Sequence, residues 1–193
     1  MNDAIRAIMK RRSCRKFGDD EIEAQILGQI INAGRIAPTG SNTQKICFYV
    51  ISGQSLINIM EAANTSFAQM EIPETDPYSG GVTNAITKCR KGFYDFLYGA
   101  KQLVILAIDE NYGNAMADCV CAQMSMMIAA SALNVDSCYI NQFHWLNEAA
   151  VFRKALGLEA NKTICCALAL GYGIPSPNGK EKRITGNPVI EMR

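Results

Sequence analysis

Apolar segments of helical or strand length alternate with short polar breaks along the chain. Between Ile22 and Ala33 the apolar residues recur at helical spacing, which predicts one buried helix face. Residues 46–51 and 103–108 are instead continuous apolar runs of strand length. The predicted helices cover residues 2–10, 20–34, 56–70, 114–133 and 147–156, and the predicted strands cover residues 46–51, 103–108, 137–140 and 163–170.

Local signals predict where these elements begin and end. Asp20 followed by Glu23 has the spacing of a capping box and predicts the start of the second helix. Residues 37–44 form a polar, turn-rich loop. Residues 71–83 combine prolines, glycines and acidic side chains, which predicts an irregular excursion. The tail, residues 176–193, is polar and has no core element of its own.

The helix predicted over residues 114–133 is apolar nearly all round, which is typical of a central helix or a subunit interface. The strands are few, and helices separate them. No glycine-rich dinucleotide motif follows any strand. We therefore predict an α+β fold with one mixed sheet surrounded by helices, formed as a single domain by residues 1–193.

Charge and hydropathy exclude several classes of function. The net charge is only +1 and the pI is near 7.5, which argues against a nucleic-acid binder. Residues 1–10 lack the apolar core of a secretory signal. The longest apolar segment, residues 116–133, is interrupted by Asp118 and Gln123, and its uninterrupted apolar part is too short for a bilayer, which takes about 20 residues. We expect no nucleic-acid or membrane partner.

Eight cysteines raise the question of disulfides or a metal. They occur singly, as the C-x-C pair at 119 and 121, and as the adjacent pair at 165 and 166. No C-x-x-C pair occurs, and the single histidine, His144, has no thiol near it in sequence. We predict reduced core cysteines in a cytoplasmic protein and no metal site.

Residues 10–17 concentrate five cationic side chains and a hydroxyl in a chain with almost no net charge. This contrast favours a site for one discrete anion. The alternative, a solvated basic surface, is common for short basic runs and is not excluded by these residues alone.

Three further polar segments interrupt the apolar chain: residues 41–44, the pair Asn141 and Gln142 after a strand, and the basic tail segment 180–183. Loop amides can recognise the edge of a heterocyclic ring, although they commonly satisfy turns instead. With one histidine and no convincing acid pair, no side chain is predicted to be catalytic. An enzyme with this inventory would depend on a cofactor.

Several of these motifs together resemble those of the nitroreductase family of flavin enzymes. Residues 11–17, RRSCRKF, are similar to its RRSxRxF opening, and residues 37–44, APTGSNTQ, resemble its AP[ST]xxNxQ loop. Residues 138–143, CYINQF, resemble the strand and turn that follow its long central helix. The matching segments occur in the family's order along the whole chain.

The resemblance implies an α+β homodimer with FMN bound in clefts at the subunit interface and the tail extending to the partner subunit. Arg11, Arg12, Ser13 and Arg15 would contact the phosphate and ribityl chain. The basic tail would reach the phosphate as well. The residues implied around FMN are Arg11, Arg12, Ser13, Arg15, Asn42, Gln44, Ile140, Asn141, Gln142, Lys182 and Arg183.

The implied activity is hydride transfer from NADH or NADPH through flavin N5 to an electron-poor small molecule, such as a nitroaromatic or a quinone. The turn at Asn141 and Gln142 would present a backbone N–H to N5. The sequence also departs from the family here, because glycines or Glu-Gly are common at these positions. An alternative is therefore a flavin-binding module, acting as a sensor, carrier or specialised reductase without fast NAD(P)H turnover.

Overall fold

The computed structural model describes residues 2–175 and 186–192, and it consists of one sheet between two layers of helices. A first core, on one face of the sheet, contains α3, α4 and α6. A second core, on the other face, contains α2 and α5. The elements are α1 (Asp3–Lys10), α2 (Ala24–Arg35), β1 (Cys47–Ser52), α3 (Gly53–Gln69), α4 (Gly81–Lys91), β2 (Gln102–Asp109), α5 (Ala115–Ala132), β3 (Asp136–Ile140), α6 (Ala150–Leu156) and β4 (Lys162–Gly171).

The sheet has the strand order β1-β2-β4-β3, and every neighbouring pair is antiparallel. The predicted α+β class is confirmed, but the four strands form an antiparallel rather than a mixed sheet. Within the described ranges, the one parallel pairing is an isolated bridge between Ser13 and Ser137, beside the edge strand β3. The central strands β2 and β4 are buried on both faces, which explains their continuous apolar sequences.

A bulge in β4 contributes to the second core. The register between β2 and β4 shifts between Leu106 and Ala107, so Cys165 is the extra residue and both Cys165 and Cys166 pack in that core. Cys119 on α5 packs beside them. All eight cysteines are free thiols, and five of them are buried, in agreement with the prediction of reduced core residues.

Helix α5 lies across the sheet, and its two sides differ in exposure. It has the length and composition to cross a membrane, but its inner side packs on β4 and α2 as a core helix does. Asp118 and Gln123, the two polar residues that interrupt the apolar segment, are buried on that inner side. Gln123 Nε2 donates to the carbonyl of Ala167 on β4 at 2.6 Å.

Two local predictions are wrong. Helix α2 begins at Ala24, its N-cap is Glu23 without a side-chain hydrogen bond, and Asp20 does not cap it. The reason is Ile22, which is buried in the second core and holds the residues before the helix in an extended path. Helix α4 starts at Gly81, inside the segment predicted to be irregular up to residue 83, because its buried face completes the first core.

Candidate functional site

The basic segment, residues 10–17, crosses the end of the sheet where β3 begins and β4 ends. The N–H of Cys14 donates to the carbonyl of Ser137 on β3 at 2.9 Å. The N–H of Gly18 donates to the carbonyl of Tyr172, just beyond β4, at 2.8 Å. These backbone bonds fix the segment against rigid strands, so its side chains are held along one edge of the sheet.

The two neighbouring arginines of this segment differ in their hydrogen bonds. Arg12 Nη1 donates to the carbonyls of Met9 at 2.7 Å and Arg11 at 2.8 Å, and so stabilises the end of α1. Arg11 Nη1 is buried and has no partner among the described residues. A buried cationic N–H without an acceptor is costly, so Arg11 is suited to an anionic ligand. It lines a cavity of about 120 Å³ with Lys10, Arg12, Ser131, Asn134, Val135, Asp136 and Ser137.

Arg15 reaches a residue that the sequence did not single out. Partial burial raises the pKa of the Tyr98 phenol, and the nearby charge of Arg15 opposes that rise. The Tyr98 carbonyl also accepts the N–H of Phe17 at 3.0 Å. Tyr98 therefore holds the backbone of the basic segment and lies near one of its cations.

The second predicted segment, the loop of residues 37–44, has an unusual backbone. Ser41, Asn42 and Gln44 all have positive φ, between 51° and 55°, although none of them is glycine. Such conformations cost about 1–2 kcal/mol for each residue with a Cβ. Gln44 Nε2 donates to Asn42 Oδ1 at 2.9 Å, which pairs the two predicted flavin contacts with each other.

A buried carboxylate holds this loop in place. Both oxygens of Asp118, in the first turn of α5, accept the N–H of Gly40 at 3.1 Å. The Tyr112 hydroxyl donates to Asp118 Oδ2 at 2.9 Å and also contacts the Gly40 carbonyl. In the sequence, Asp118 stood out only as a polar interruption of the longest apolar segment. Its contact with Gly40, 78 residues away in sequence, required the fold.

The two groups of predicted ligands lie at opposite ends of α5 within one chain. The loop contacts Asp118 at the start of the helix, whereas Ser131 near its end donates to the carbonyl of Ala7 on α1 at 2.8 Å. At 1.5 Å per residue, Asp118 and Ser131 are separated by about 20 Å along the axis. The structure therefore does not bring Arg11 and Asn42 of one chain together.

The third predicted segment directly follows β3. Ile140 is buried in the first core, and Asn141 and Gln142 are half-buried at the start of a 3₁₀ turn. The first N–H groups of such a turn lack acceptors within it and are free to donate outward. Ser137, beside the basic segment, and Asn141 are separated by four residues of strand, or about 13 Å.

An aromatic contact joins the excursion to the 3₁₀ turn. Tyr78 packs against Trp145 with ring centroids 5.1 Å apart. Asp76 anchors the same segment, because its carboxylate accepts the N–H groups of Tyr78 at 2.8 Å and Thr83 at 2.9 Å. The backbone hydrogen bond from Thr83 is the main cause that lowers the pKa of Asp76. Sequence reasoning found neither contact, since both depend on where α4 begins.

His144 lies in the same turn and is held by the backbone. Its Nδ1 is 2.9 Å from the carbonyl oxygen of Ile164 on β4. Lys182 and Arg183, the predicted tail ligands, lie outside the described residues.

Comparison with known proteins matches this arrangement to one family. The model of the family described as "Nitroreductase family" matches residues 8–172. The chain belongs to the nitroreductase family. The matched region includes the whole basic segment, the whole 37–44 loop and the turn after β3.

Individual nitroreductases share the fold over nearly their whole length. A nitroreductase from Bacteroides fragilis, crystallised with bound FMN, is 26% identical, with both chains covered completely and a TM-score of 0.85. The nitrobenzene nitroreductase of Ectopseudomonas oleovorans is 25% identical over 86% of this chain and 84% of its own. The FMN-dependent nitroreductase NfnB of Mycobacterium smegmatis, solved in complex with NADPH, is 22% identical, with a TM-score of 0.70 over 89% of this chain and 87% of that one.

Proposed function

We propose that this chain is an FMN-dependent oxidoreductase that uses NADH or NADPH to reduce an electron-poor acceptor such as a nitroaromatic or a quinone. Membership of the nitroreductase family supports this activity. So does the similarity to a nitroreductase with bound FMN and to one in complex with NADPH. Bound FMN would supply the redox chemistry, by accepting hydride from the nicotinamide and passing two electrons to the acceptor.

The observation that carries the proposal is the buried Arg11 Nη1, which has no acceptor among the described residues. A phosphate oxygen would satisfy it with a charge-assisted hydrogen bond. Ser13 and Arg15 lie on the same fixed segment and would hold the phosphate and ribityl chain with it. Arg12 would contribute through its second terminal nitrogen, since its Nη1 binds backbone carbonyls.

The ring system of FMN would lie toward the turn after β3. Backbone N–H groups at Asn141 and Gln142 would donate to the N5 edge, and Ile140 supports the turn from the core. Lys182 and Arg183 would reach the phosphate from the tail. The excursion held by Tyr78 and Trp145 would cover the acceptor and exclude water from it.

The active unit would be a homodimer, because one chain keeps the two groups of ligands at opposite ends of α5. The outer side of α5 carries an exposed apolar stripe at a spacing of four residues, with Met116 44%, Val120 39% and Met124 47% exposed. Two such helices packed antiparallel would bury both stripes. They would also bring the start of one helix to the end of the other, and so join Asn42 and Gln44 of one subunit to Arg11 of the next.

One purification and one kinetic measurement test the activity. Protein purified and titrated with FMN should turn yellow and quench flavin fluorescence with one FMN per chain. Stopped-flow mixing with NADPH, and separately with NADH, should bleach the flavin band, and an added nitroaromatic or quinone should restore it. A protein that binds FMN but is bleached by neither nucleotide would be a flavin-binding module. A protein that binds no FMN would contradict the proposal entirely.

The cysteines support a cytoplasmic location for the protein. Free thiols at all eight positions are compatible with a reducing cytoplasm, where we propose that the protein resides.

A further inference from the structure

The turn after β3 contains a side-chain hydrogen bond in addition to its backbone N–H donors. The hydroxyl of Tyr139 donates to Oδ1 of Asn141 at 3.3 Å, across the buried Ile140. Tyr139 is paired with Leu168 on β4, which belongs to the second core, so Tyr139 lies on the face of the sheet that α5 covers. It is 40% exposed there, at the border between the core and the open edge.

This contact decides which end of the Asn141 amide is free. An asparagine side chain has one acceptor oxygen and a donor NH₂ group. Because Oδ1 accepts the Tyr139 hydroxyl, the NH₂ group is directed away from it. Within the described part of the chain, Nδ2 of Asn141 has no hydrogen-bond acceptor.

Tyr139 is suited to be a permanent donor in this pair. Partial burial is the main cause that raises the pKa of its phenol, with smaller contributions from Cys166, Tyr78 and Cys165. No cationic side chain is among these neighbours. The phenol therefore stays protonated through the neutral range and above it, and it continues to hold Oδ1.

We propose that Tyr139 is a positioning residue that orients the Asn141 amide, and that the Asn141 NH₂ donates a hydrogen bond to the O4 carbonyl oxygen of FMN, on the N5 side of the ring. This inference rests on the proposed function, because it needs FMN in the cleft beside the turn. Hydride reaches N5, and in the reduced ring the nitrogen lone pairs conjugate with the C4 carbonyl, so O4 is a stronger hydrogen-bond acceptor in reduced than in oxidised flavin. A donor fixed beforehand stabilises the reduced form more strongly and raises the reduction potential.

The test is the two-electron reduction potential of bound FMN, measured by dye equilibration in wild type, Asn141→Ala, Tyr139→Phe and the double variant. Loss of the donor in Asn141→Ala should make the reduction potential about 30 mV more negative. At a fixed solution potential this is roughly a tenfold higher ratio of oxidised to reduced FMN. Tyr139→Phe keeps the ring and should also make the reduction potential more negative, by a smaller amount. The reduction potential of the double variant should be no more negative than that of Asn141→Ala, because Tyr139 acts through Asn141.

The matched control is Tyr49→Phe, which removes a half-buried phenol on β1, at the opposite edge of the sheet. Its potential should equal that of wild type. FMN titration and thermal unfolding of each variant identify any loss of binding or folding, and the conservative Tyr139→Phe supplies the test if Asn141→Ala does not fold.

Different outcomes contradict different claims. Unchanged potentials in Asn141→Ala and Tyr139→Phe, with FMN bound, would overturn the inference and leave the proposed function intact. So would a positive shift, or additive shifts in the double variant. Failure of the wild-type protein to bind FMN would overturn the proposed function instead.

Discussion

The carboxylate of Asp118 accepts the backbone N–H of Gly40 with both of its oxygens, each at 3.1 Å. Asp118 is only 5% exposed, so this contact is made away from bulk water. It ties the start of α5 to a loop in which three non-glycine residues have left-handed backbone conformations. The loop therefore keeps its strained shape because a rigid helix holds it.

Removing this carboxylate should release the loop. Asp118→Ala would leave the Gly40 N–H and the Tyr112 hydroxyl without their acceptor, which costs about 1–3 kcal/mol for a buried donor. We expect a lower free energy of unfolding by denaturant titration and weaker FMN binding by about tenfold or more. Asp118→Asn keeps one acceptor oxygen and should lose less. Equal FMN affinity in wild type and Asp118→Ala would show that the contact between Asp118 and Gly40 does not shape the FMN site.

Glycine is required at position 40 for space. A Cβ there would be 2.3 Å from Asn114 Nδ2 and 2.5 Å from the Tyr112 hydroxyl oxygen. Gly40→Ala should lower stability by about 1–3 kcal/mol through overpacking. The matched control is Gly28→Ala in α2, where a Cβ meets nothing within 4 Å. That variant should be more stable than wild type by about 0.5–1 kcal/mol. Thermal or urea unfolding compares the two, and a neutral Gly40→Ala would refute the close packing.

The contrast between the first two arginines predicts unequal losses of FMN affinity. Arg11→Ala removes the buried guanidinium and should weaken binding by about tenfold to a hundredfold, as loss of a hydrogen bond to a charged group does. Arg12→Ala mainly removes hydrogen bonds at the end of α1 and should cost less. Fluorescence titration in increasing phosphate concentration measures both. Free phosphate should compete in wild type and hardly at all in Arg11→Ala. Equal losses in the two variants would contradict the assignment of Arg11.

The stabilisation that the Asp76 carboxylate gives to the excursion should be lost at low pH. The folded pKa of Asp76 is lowered, so its contribution to stability is present above the unfolded value of about 3.9 and is lost as the pH falls through the lower folded value. Asp76→Ala should therefore unfold more easily than wild type at pH 7. The two proteins should converge once the pH is below the folded pKa of Asp76. Protection of the Thr83 amide from hydrogen exchange reports on this anchor directly, and a pH-independent difference would disagree with the assigned cause.

Sequence reasoning succeeded where burial dictates the residue types. The apolar runs of β2 and β4 are buried on both faces, and their strands extend only one residue beyond the predicted bounds at each end. The length and the apolar character of α5 could also be predicted from the sequence, because both of its sides are apolar. One side is buried in the core, and the other carries exposed apolar side chains.

What the sequence did not reveal depends on contacts between distant segments. Asp118 meets Gly40, and Arg15 meets Tyr98, only after the chain has folded. Helix α4 was missed because the prolines and glycines before Gly81 dominate the local signal. Asp20 and Glu23 have the spacing of a capping box, but burial of Ile22 sets the helix start instead.

The central claim is that each FMN site combines the basic segment of one subunit with the 37–44 loop of the other. Subunit exchange between Arg11→Ala and the double variant Asn42→Ala, Gln44→Ala tests it, with each parent unable to bind FMN at the concentration used. In a symmetric dimer, a mixed pair contains one site with both defects and one intact site. Equal mixing should restore tight FMN binding at about a quarter of all sites. No recovery, with exchange verified by mass-tagged subunits, would mean that both groups of residues serve a site within one chain.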